Sequence, residues 1–461
     1  MNIFSGYCMK NNSSSPNFYI FFLLSLLIGI ILRLYILTDQ ILLDDEWHSI
    51  DYVPDKSLYY LLTHMGTSAN SIPMNIYRHM LLHTVGWSEF LLRIPSLFFG
   101  ILSLMVFPFL VKKITGTRAA IIFSFLLAIS PLLIFYSRVS RAYGAVSFLV
   151  FFSLISLYLW LISGRTRWAV SYVLSGALSV YFHLFALVGV ISPFGFVFLY
   201  QISPETRKNE NMLFPKPGHL AGVLLSLVIL TGILLLPALL QSSFPLVPTE
   251  DRASFHSFAG VIPLICGTAN PFFIVIFMSM AIGGFTLLWK RSILLSGMFF
   301  FVVLFYFLAI KSVKHSGIHI SLEIARFSIC VFPISYMLAA TGIDRFLSFI
   351  DRIKYGNMLT AGLAGLFFAG LFLKGPLPVI YGSVNNFTNH TAFQESYKPK
   401  DQERSYENQI ASEYYIKRKD IPSFYFRLAI QEDAEKIIEY PMYIGNHYNF
   451  FIFTSSSIKK R

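Results

Sequence analysis

Residues 18–48 read FYIFFLLSLLIGIILRLYILTDQILLDDEWH. The run from Phe18 to Leu37 is long enough and apolar enough to cross the hydrocarbon core of a bilayer, which takes roughly 20 residues of helix. Three consecutive acids, Asp44, Asp45 and Glu46, follow within a few residues of its end. Charged residues make up only 13% of the chain, so this is a dense negative cluster set at a membrane surface.

The same pattern of long apolar runs continues through the 461 residues. Hydrophobic residues are 55% of the total, 47 of them Phe, and the mean hydropathy is +0.62. A soluble chain of this length would be about a quarter charged. Further spanning runs are expected at 91–111, 119–136, 143–162, 168–182, 184–200, 220–240, 271–288, 293–311, 327–344 and 358–374. The fold class is therefore an all-α polytopic membrane protein with about 11 transmembrane helices. The runs at 168–182 and 184–200 are nearly continuous around Tyr181-Phe182-His183, which reads as a tight hairpin.

The net charge of +12 does not point to nucleic acid, because the basic residues sit in short loops between apolar runs. Lys112, Lys113 and Arg118, then Arg165 and Arg167, Arg207, Lys208 and Lys216, Lys290 and Arg291, and Arg345, Arg352 and Lys354 mark alternate loops. Short basic loops stay cytoplasmic. The N-terminus is thus expected inside, and Asp44–Glu46 outside. With Lys10 before the first run and no small-residue cleavage site after it, that run is read as an uncleaved signal anchor. Cys8, Cys266 and Cys330 show no metal-ligand spacing. Cys266 and Cys330 fall on the same expected face, either as a disulfide or as lone small thiols.

Two units follow: a transmembrane domain over 1–374 and an extracytoplasmic tail over 375–461. The first outer loop, 38–90, is the longest. It contains two short helical stretches, Ser57–Met65 and Met74–Val85, the second following Pro73 and suited to an interface helix. Another outer loop, 241–270, is proline-rich. After Gly375 charges become dense and mixed, and no further run spans a bilayer. The tail is small and mixed α/β, with a helix expected at Arg427–Ile437 and a strand at Ile437–Tyr440.

The acids have two readings on residue chemistry alone. Most charge runs are solvated loop surface, but carboxylates crowded against an apolar helix end also suit a general base or a cation site. A second cluster, Ser137-Arg138-Val139-Ser140-Arg141-Ala142-Tyr143, shifts the balance. A lone Arg at a helix end is commonly a snorkelling side chain. Here Arg138 and Arg141 share one short outer loop, and Arg326 lies at the outer mouth of a later helix. Guanidinium forks match phosphate oxygens, so a phosphate-bearing ligand on this face is the natural partner. Arg93 reads as a structural or headgroup contact. His83 and Tyr77 on the interface helix read as acceptor-side contacts or as satisfied structural groups, and His183 as a partner for backbone groups at a helix break. His315 and His319 have i, i+4 spacing, but Gly317 and the lack of further ligands argue against a metal site.

In order and spacing these features resemble the polytopic GT-C glycosyltransferases related to protein O-mannosyltransferases and the lipid A aminoarabinose transferase. The matching parts are Asp45-Glu46, then Ile72-Pro73-Met74-Asn75-Ile76-Tyr77 leading to Leu81-Leu82-His83, and Glu89-Phe90-Leu91-Leu92-Arg93-Ile94-Pro95-Ser96. Ser130-Pro131, Tyr136-Ser137, Arg141-Ala142-Tyr143, Tyr181-Phe182-His183 and Arg326-Phe327 follow in the same order, so the likeness covers about residues 18–345. Where such proteins commonly have Pro-Pro and Arg-Tyr, this chain has Ile72-Pro73 and Arg326-Phe327. The resemblance implies inverting transfer of a sugar from a polyprenyl-phosphate donor to an extracytoplasmic glycan, lipid or protein hydroxyl, in a bacterial inner membrane. Asp45 and Glu46 would be catalytic, and Arg141, Tyr143, Arg326 and Arg138 would bind the lipid phosphate. No cofactor is required by this reading; a Mg²⁺ or Mn²⁺ ion on Asp45 and Glu46 is left open. A lipid-linked oligosaccharide polymerase or ligase would place its key residues in a large late outer loop, and a lipid-sugar transporter would show paired repeats with mid-membrane charges.

Overall fold

A computed structural model describes residues 16–35, 37, 46, 52–54, 56–65, 71–86, 88–202, 215–241, 251–252, 258–312, 314–315, 320–353, 355–374, 438–441 and 449–452. Within these, every one of the expected apolar runs is helical: α1 (Pro16–Leu34), α4 (Glu89–Thr115), α5 (Thr117–Ile129) with α6 (Pro131–Ser137), α7 (Tyr143–Ser163), α8 (Thr166–Phe182), α9 (Ala186–Ile202), α10 (Pro217–Gln241), α12 (Pro271–Arg291), α13 (Ile293–Ser312), α15 (Val331–Ile350) and α16 (Gly356–Lys374). By length and apolarity alone five of them, α4, α7, α10, α12 and α13, can cross a membrane, or six if the bent α5–α6 pair is one span. α1, α9 and α16 are apolar but shorter. The chain is a multi-pass membrane protein. Helices suit this setting because each satisfies its own backbone hydrogen bonds away from water.

Short elements lie between the long ones. α2 (Leu58–Thr63) and α3 (Ile72–His83) occupy the two helical stretches expected in the first outer loop. Pro73 falls in the first turn of α3, where a missing N–H costs nothing. α11 (Val261–Cys266) and α14 (Ile320–Phe327) precede α12 and α15, and a two-residue ladder pairs β1 (Asp251–Arg252) with β2 (Lys314–His315). In the tail, β3 (Ile438–Pro441) pairs antiparallel with β4 (Asn449–Ile452), Ile438 opposite Ile452. The helix expected at 427–437 lies outside the described residues.

α7 is buried along nearly its whole length and forms the centre of the bundle. Phe107 of α4 packs on Phe148 and Phe151 of α7, with ring centroids 5.2 and 4.7 Å apart. α12 and α15 meet backbone to backbone. A Cβ on Gly284 would overlap the Leu338 carbonyl, and one on Gly342 would overlap that of Met280. α8 and α9 fold back on each other: Tyr172 Oη donates to Val190 O at 3.0 Å across 18 residues of sequence. The expected hairpin turns at residues 183–185. At the end bearing the basic loops, Arg118 of α5 pairs with Asp344 at 2.5 Å and with Asp351, while Thr360 of α16 donates to Asp351 at 2.7 Å.

The third expected span is not one straight helix. α5 and α6 meet at Ser130-Pro131 with a bend of 59°. Pro131 has no N–H to continue the ladder, and the Ser130 side chain caps the new helix by accepting from Leu133 N–H. Carbonyls at the end of α5 therefore lose their helical donors. Arg33, fully buried in α1, supplies replacements, donating to Ala128 O at 3.3 Å and Leu127 O at 3.4 Å. It also reaches Gly29 O at 3.0 Å and Ser137 Oγ at 3.2 Å. A cation is favourable at a helix C-terminus. Arg33→Met should retain the apolar stem and remove the donors. It is expected to cost about 1–3 kcal/mol per carbonyl stranded, read as a lowered melting temperature in detergent, with Arg33→Lys recovering part of the loss.

Candidate functional site

The end of the bundle opposite the basic loops is organised by one buried ion pair. Glu46, the last of the three acids, has no accessible surface, and neither has Arg93 of α4. The guanidinium grips the carboxylate with two donors, Nε to Oε1 at 3.2 Å and Nη2 to Oε2 at 3.1 Å. Nη1 of Arg93 also reaches Leu37 O at 3.3 Å, just beyond α1. The backbone N–H of Ser140 donates to Glu46 Oε1 at 2.5 Å. Glu46 thus joins the first outer loop, α4 and the Arg138–Ala142 turn.

That turn is held from several sides. Ser140 Oγ donates to Leu92 O at 2.8 Å, and Ser96 Oγ donates to Arg141 O at 2.7 Å. Arg78 of α3 donates to Ser140 O, to Ser140 Oγ at 3.3 Å and to Asn75 Oδ1 at 2.9 Å. Arg138 Nη1 reaches Leu32 O at 3.4 Å. Gly144 lets α7 start close against α4, since a Cβ there would lie 3.0 Å from Ser96 O and 3.2 Å from Tyr136 O. Burial and the neighbouring Arg141 charge push the Arg78 guanidinium down to about 9, with Glu46 pulling the other way. It remains charged at neutral pH.

The turn presents Arg141 and Tyr143 to residues from two other elements. Tyr143 packs edge-on to Tyr136, with centroids 4.9 Å apart, and against His183 at 5.6 Å. The Arg326 guanidinium of α14 lies 5.9 Å from the Tyr143 ring centroid and 5.4 Å from that of Phe327. Arg326 also pairs with Glu323 at 3.2 Å. Phe327 in turn packs on His183 at 5.8 Å. Arg141, Tyr143, His183 and Arg326 therefore form one constellation, drawn from the α6–α7 turn, the α8–α9 turn and α14.

His183 is the group that residue types alone did not single out for this constellation. Its Nδ1 accepts from Phe185 N–H at 3.2 Å. Its Nε2 is buried and has no hydrogen-bond partner among the described residues. Burial and the adjacent Arg141 and Arg326 charges push it down to about 3, so it is neutral at neutral pH. With Nδ1 accepting, the proton sits on Nε2.

Other expected residues take different places. Tyr77 donates its hydroxyl to Leu91 O at 2.7 Å, tying α3 to α4, and His83 is exposed with Nδ1 2.9 Å from His79 O. Asp45 lies outside the described residues, as do Asp44, His319 and Cys8. Among the described residues no three His, Cys, Asp or Glu come together as a metal group. Cys266 and Cys330 are buried free thiols. Arg93, expected to be a structural or headgroup contact, is the partner of Glu46. Its place four residues into the helix beginning Glu89-Phe90-Leu91-Leu92-Arg93 was visible, but its partner was not. Arg78 and Arg33 escaped notice as single charges in amphipathic or apolar helices.

No family model and no curated protein matches the sequence. Among solved structures, the fold matches ArnT from Cupriavidus metallidurans in the apo state, with a TM-score of 0.51 at 12% identity over 78% of this chain and 73% of that one. It also matches the same protein bound to undecaprenyl phosphate, with a TM-score of 0.52 at 12% identity over 80% and 74%. The chain shares the helical membrane fold of these ArnT structures.

Removing one side of the Glu46–Arg93 pair strands a buried charge. Glu46→Gln or Arg93→Met is expected to destabilise by about 3–5 kcal/mol, measured as loss of folded protein in detergent melts. The double variant Glu46→Leu/Arg93→Met should recover part of this, since no charge is then left alone. His183 gives a pH signature. Its folded value lies below the ordinary 6.5, so the unfolded chain binds more protons between about pH 6.5 and 3. The contribution is fully present above pH 6.5 and is lost as pH falls. His183→Gln should flatten that part of the stability-against-pH curve.

Proposed function

We propose that this protein is a glycosyltransferase that moves a sugar from a polyprenyl-phosphate donor to a hydroxyl acceptor on the extracytoplasmic side of a bacterial inner membrane. The observation that carries this reading is the constellation of Arg141, Tyr143, His183 and Arg326 at the end of the bundle away from the basic loops. Positive charge is in surplus there. Among the described buried residues are five arginines, Arg33, Arg78, Arg93, Arg138 and Arg141, and one acid, Glu46. Such a surplus favours an anion, and guanidinium groups favour phosphate oxygens. The matched ArnT structure bound to undecaprenyl phosphate supports the choice of a lipid-borne phosphate. The positive-inside pattern supports the assignment of face.

The chemistry follows from the residues. An acceptor hydroxyl is a weak nucleophile and needs a base; Asp45, the chain neighbour of the anchored Glu46, takes that role. The acceptor oxygen attacks the anomeric carbon from the side opposite the phosphate, and its proton passes to Asp45. The bond between the anomeric carbon and the phosphate oxygen breaks, and its electron pair leaves with the polyprenyl phosphate. Arg141 and Arg326 stabilise the charge that gathers on this leaving group, with Arg138 adding to the same field. Inversion at the anomeric carbon results. Glu46 acts by position: its bonds to Arg93 and Ser140 hold its own carboxylate against the arginine-bearing turn.

Membranes carrying wild type or Asp45→Asn are given a radiolabelled polyprenyl-phosphate sugar. Asp45→Asn is expected to abolish transfer with unchanged membrane insertion, and Arg141→Ala to lower it by about a hundredfold or more, a charge-stabilising donor being worth ~3 kcal/mol. Full transfer by Asp45→Asn would rule it out as the base. Chelation followed by Mn²⁺ or Mg²⁺ in the same assay tests whether the carboxylates also hold a cation.

A further inference from the structure

The α8–α9 turn carries a polar group that the fold leaves unused. His183 Nε2 is buried without a partner among the described residues, although a buried donor left unmade costs about 1–3 kcal/mol. The ring is not loosely placed. Its Nδ1 is engaged by Phe185 N–H at 3.2 Å, and its faces rest against Tyr143 and Phe327 with centroids 5.6 and 5.8 Å away. The tautomer is fixed by the Phe185 contact, so Nε2 carries a hydrogen that nothing among the described residues receives. The charged groups facing it from the neighbouring elements are Arg141, before α7, and Arg326 of α14. Neither can accept a hydrogen bond. An acceptor beside two guanidinium groups is favoured when it is an anion with several oxygens.

We propose that His183 donates its Nε2–H to a phosphate oxygen of the ligand held by Arg141 and Arg326, and so sets the orientation of that phosphate. This rests on the phosphate reading given above and adds a residue to it. A neutral donor has a particular use here. A third cation would add to the positive charge that Arg141 and Arg326 already place beside the ring. A neutral imidazole N–H fixes direction without adding charge, and the Phe185 N–H and the Tyr143 and Phe327 rings keep it in place. The phosphate source is either lipid-borne or free, since His183 meets only the oxygens.

The test separates the two halves of the imidazole. His183→Asn keeps an acceptor near the Nδ1 position for Phe185 N–H but falls short of the ligand. His183→Gln reaches the Nε2 position with a donor but gives up the acceptor. Full-length protein in detergent is titrated with undecaprenyl phosphate, with undecaprenol lacking the phosphate, and with inorganic phosphate, and melting temperatures without ligand are recorded for each variant. Wild type is expected to bind undecaprenyl phosphate and not undecaprenol. His183→Asn should bind it about 10- to 100-fold more weakly, as for loss of a hydrogen bond to a charged group, and His183→Gln within a few-fold of wild type. Binding in the lipid arm alone assigns a lipid-borne phosphate, and binding in both phosphate arms assigns the anion itself; either supports the proposal when the same order of variants holds. The reverse order, with Asn near wild type and Gln impaired, would make His183 a cap for the α8–α9 turn and overturn its donor role while leaving the phosphate site in place. Equal binding of undecaprenyl phosphate and undecaprenol by wild type would overturn both.

Discussion

The buried contact between Glu46 and Arg93 is the constraint on which this end of the molecule depends. Two charges without solvent are costly to bury, and their attraction offsets that cost only when geometry is good and remaining hydrogen-bonding capacity is used. Both conditions hold. The guanidinium meets the carboxylate with two donors, and Ser140 N–H meets the same carboxylate at 2.5 Å. Glu46, the second long helix and the arginine-bearing turn are joined this way. A shift in any one would break charged hydrogen bonds in the other two, so the turn that carries Arg141 has little freedom to move.

Arginine does two kinds of work in this bundle. Arg33 and Arg78 face neutral oxygen acceptors, mostly backbone carbonyls, and compensate for places where the regular ladder stops: the Ser130-Pro131 break and the Arg138–Ala142 turn. Arg141 and Arg326 instead converge on a region lined by Tyr143 and the orphaned Nε2 of His183. The first kind is a solution to burying irregular backbone among apolar helices. The second concentrates positive potential where an anion can approach, and that is the basis for reading the site as one that binds phosphate.

Most of the architecture was legible in the residue order. Helical runs stand where hydropathy places them, and α3 begins at Ile72, two residues ahead of the expected Met74, with Pro73 in its first turn. The hairpin at Tyr181–His183 is also present, with Tyr172 bonded back to Val190. The Ser130-Pro131 break was less legible, because the apolar run passes through it without interruption. The pairing of the acids was not legible at all. The resemblance makes Glu46 catalytic together with Asp45, yet the Glu46 carboxylate is fully buried and bonded to Arg93 and Ser140. His183 was read as a partner for backbone groups, which its Nδ1 is; its other nitrogen has a meaning only once Arg141, Arg326 and Tyr143 surround it.

What the sequence determined by itself is the set of helices and the side of the membrane on which acids and phosphate-seeking arginines are expected. Both follow from local causes: a bilayer fixes the length of an apolar run, and short basic loops fix orientation. Which charge meets which was decided by tertiary structure. Glu46 finds Arg93 across 47 residues and Ser140 across 94, and those separations carry no periodic signal. Only packing of α1, α4 and α7 brings them within hydrogen-bond range, and once they are buried the cost of an unpaired charge keeps them there.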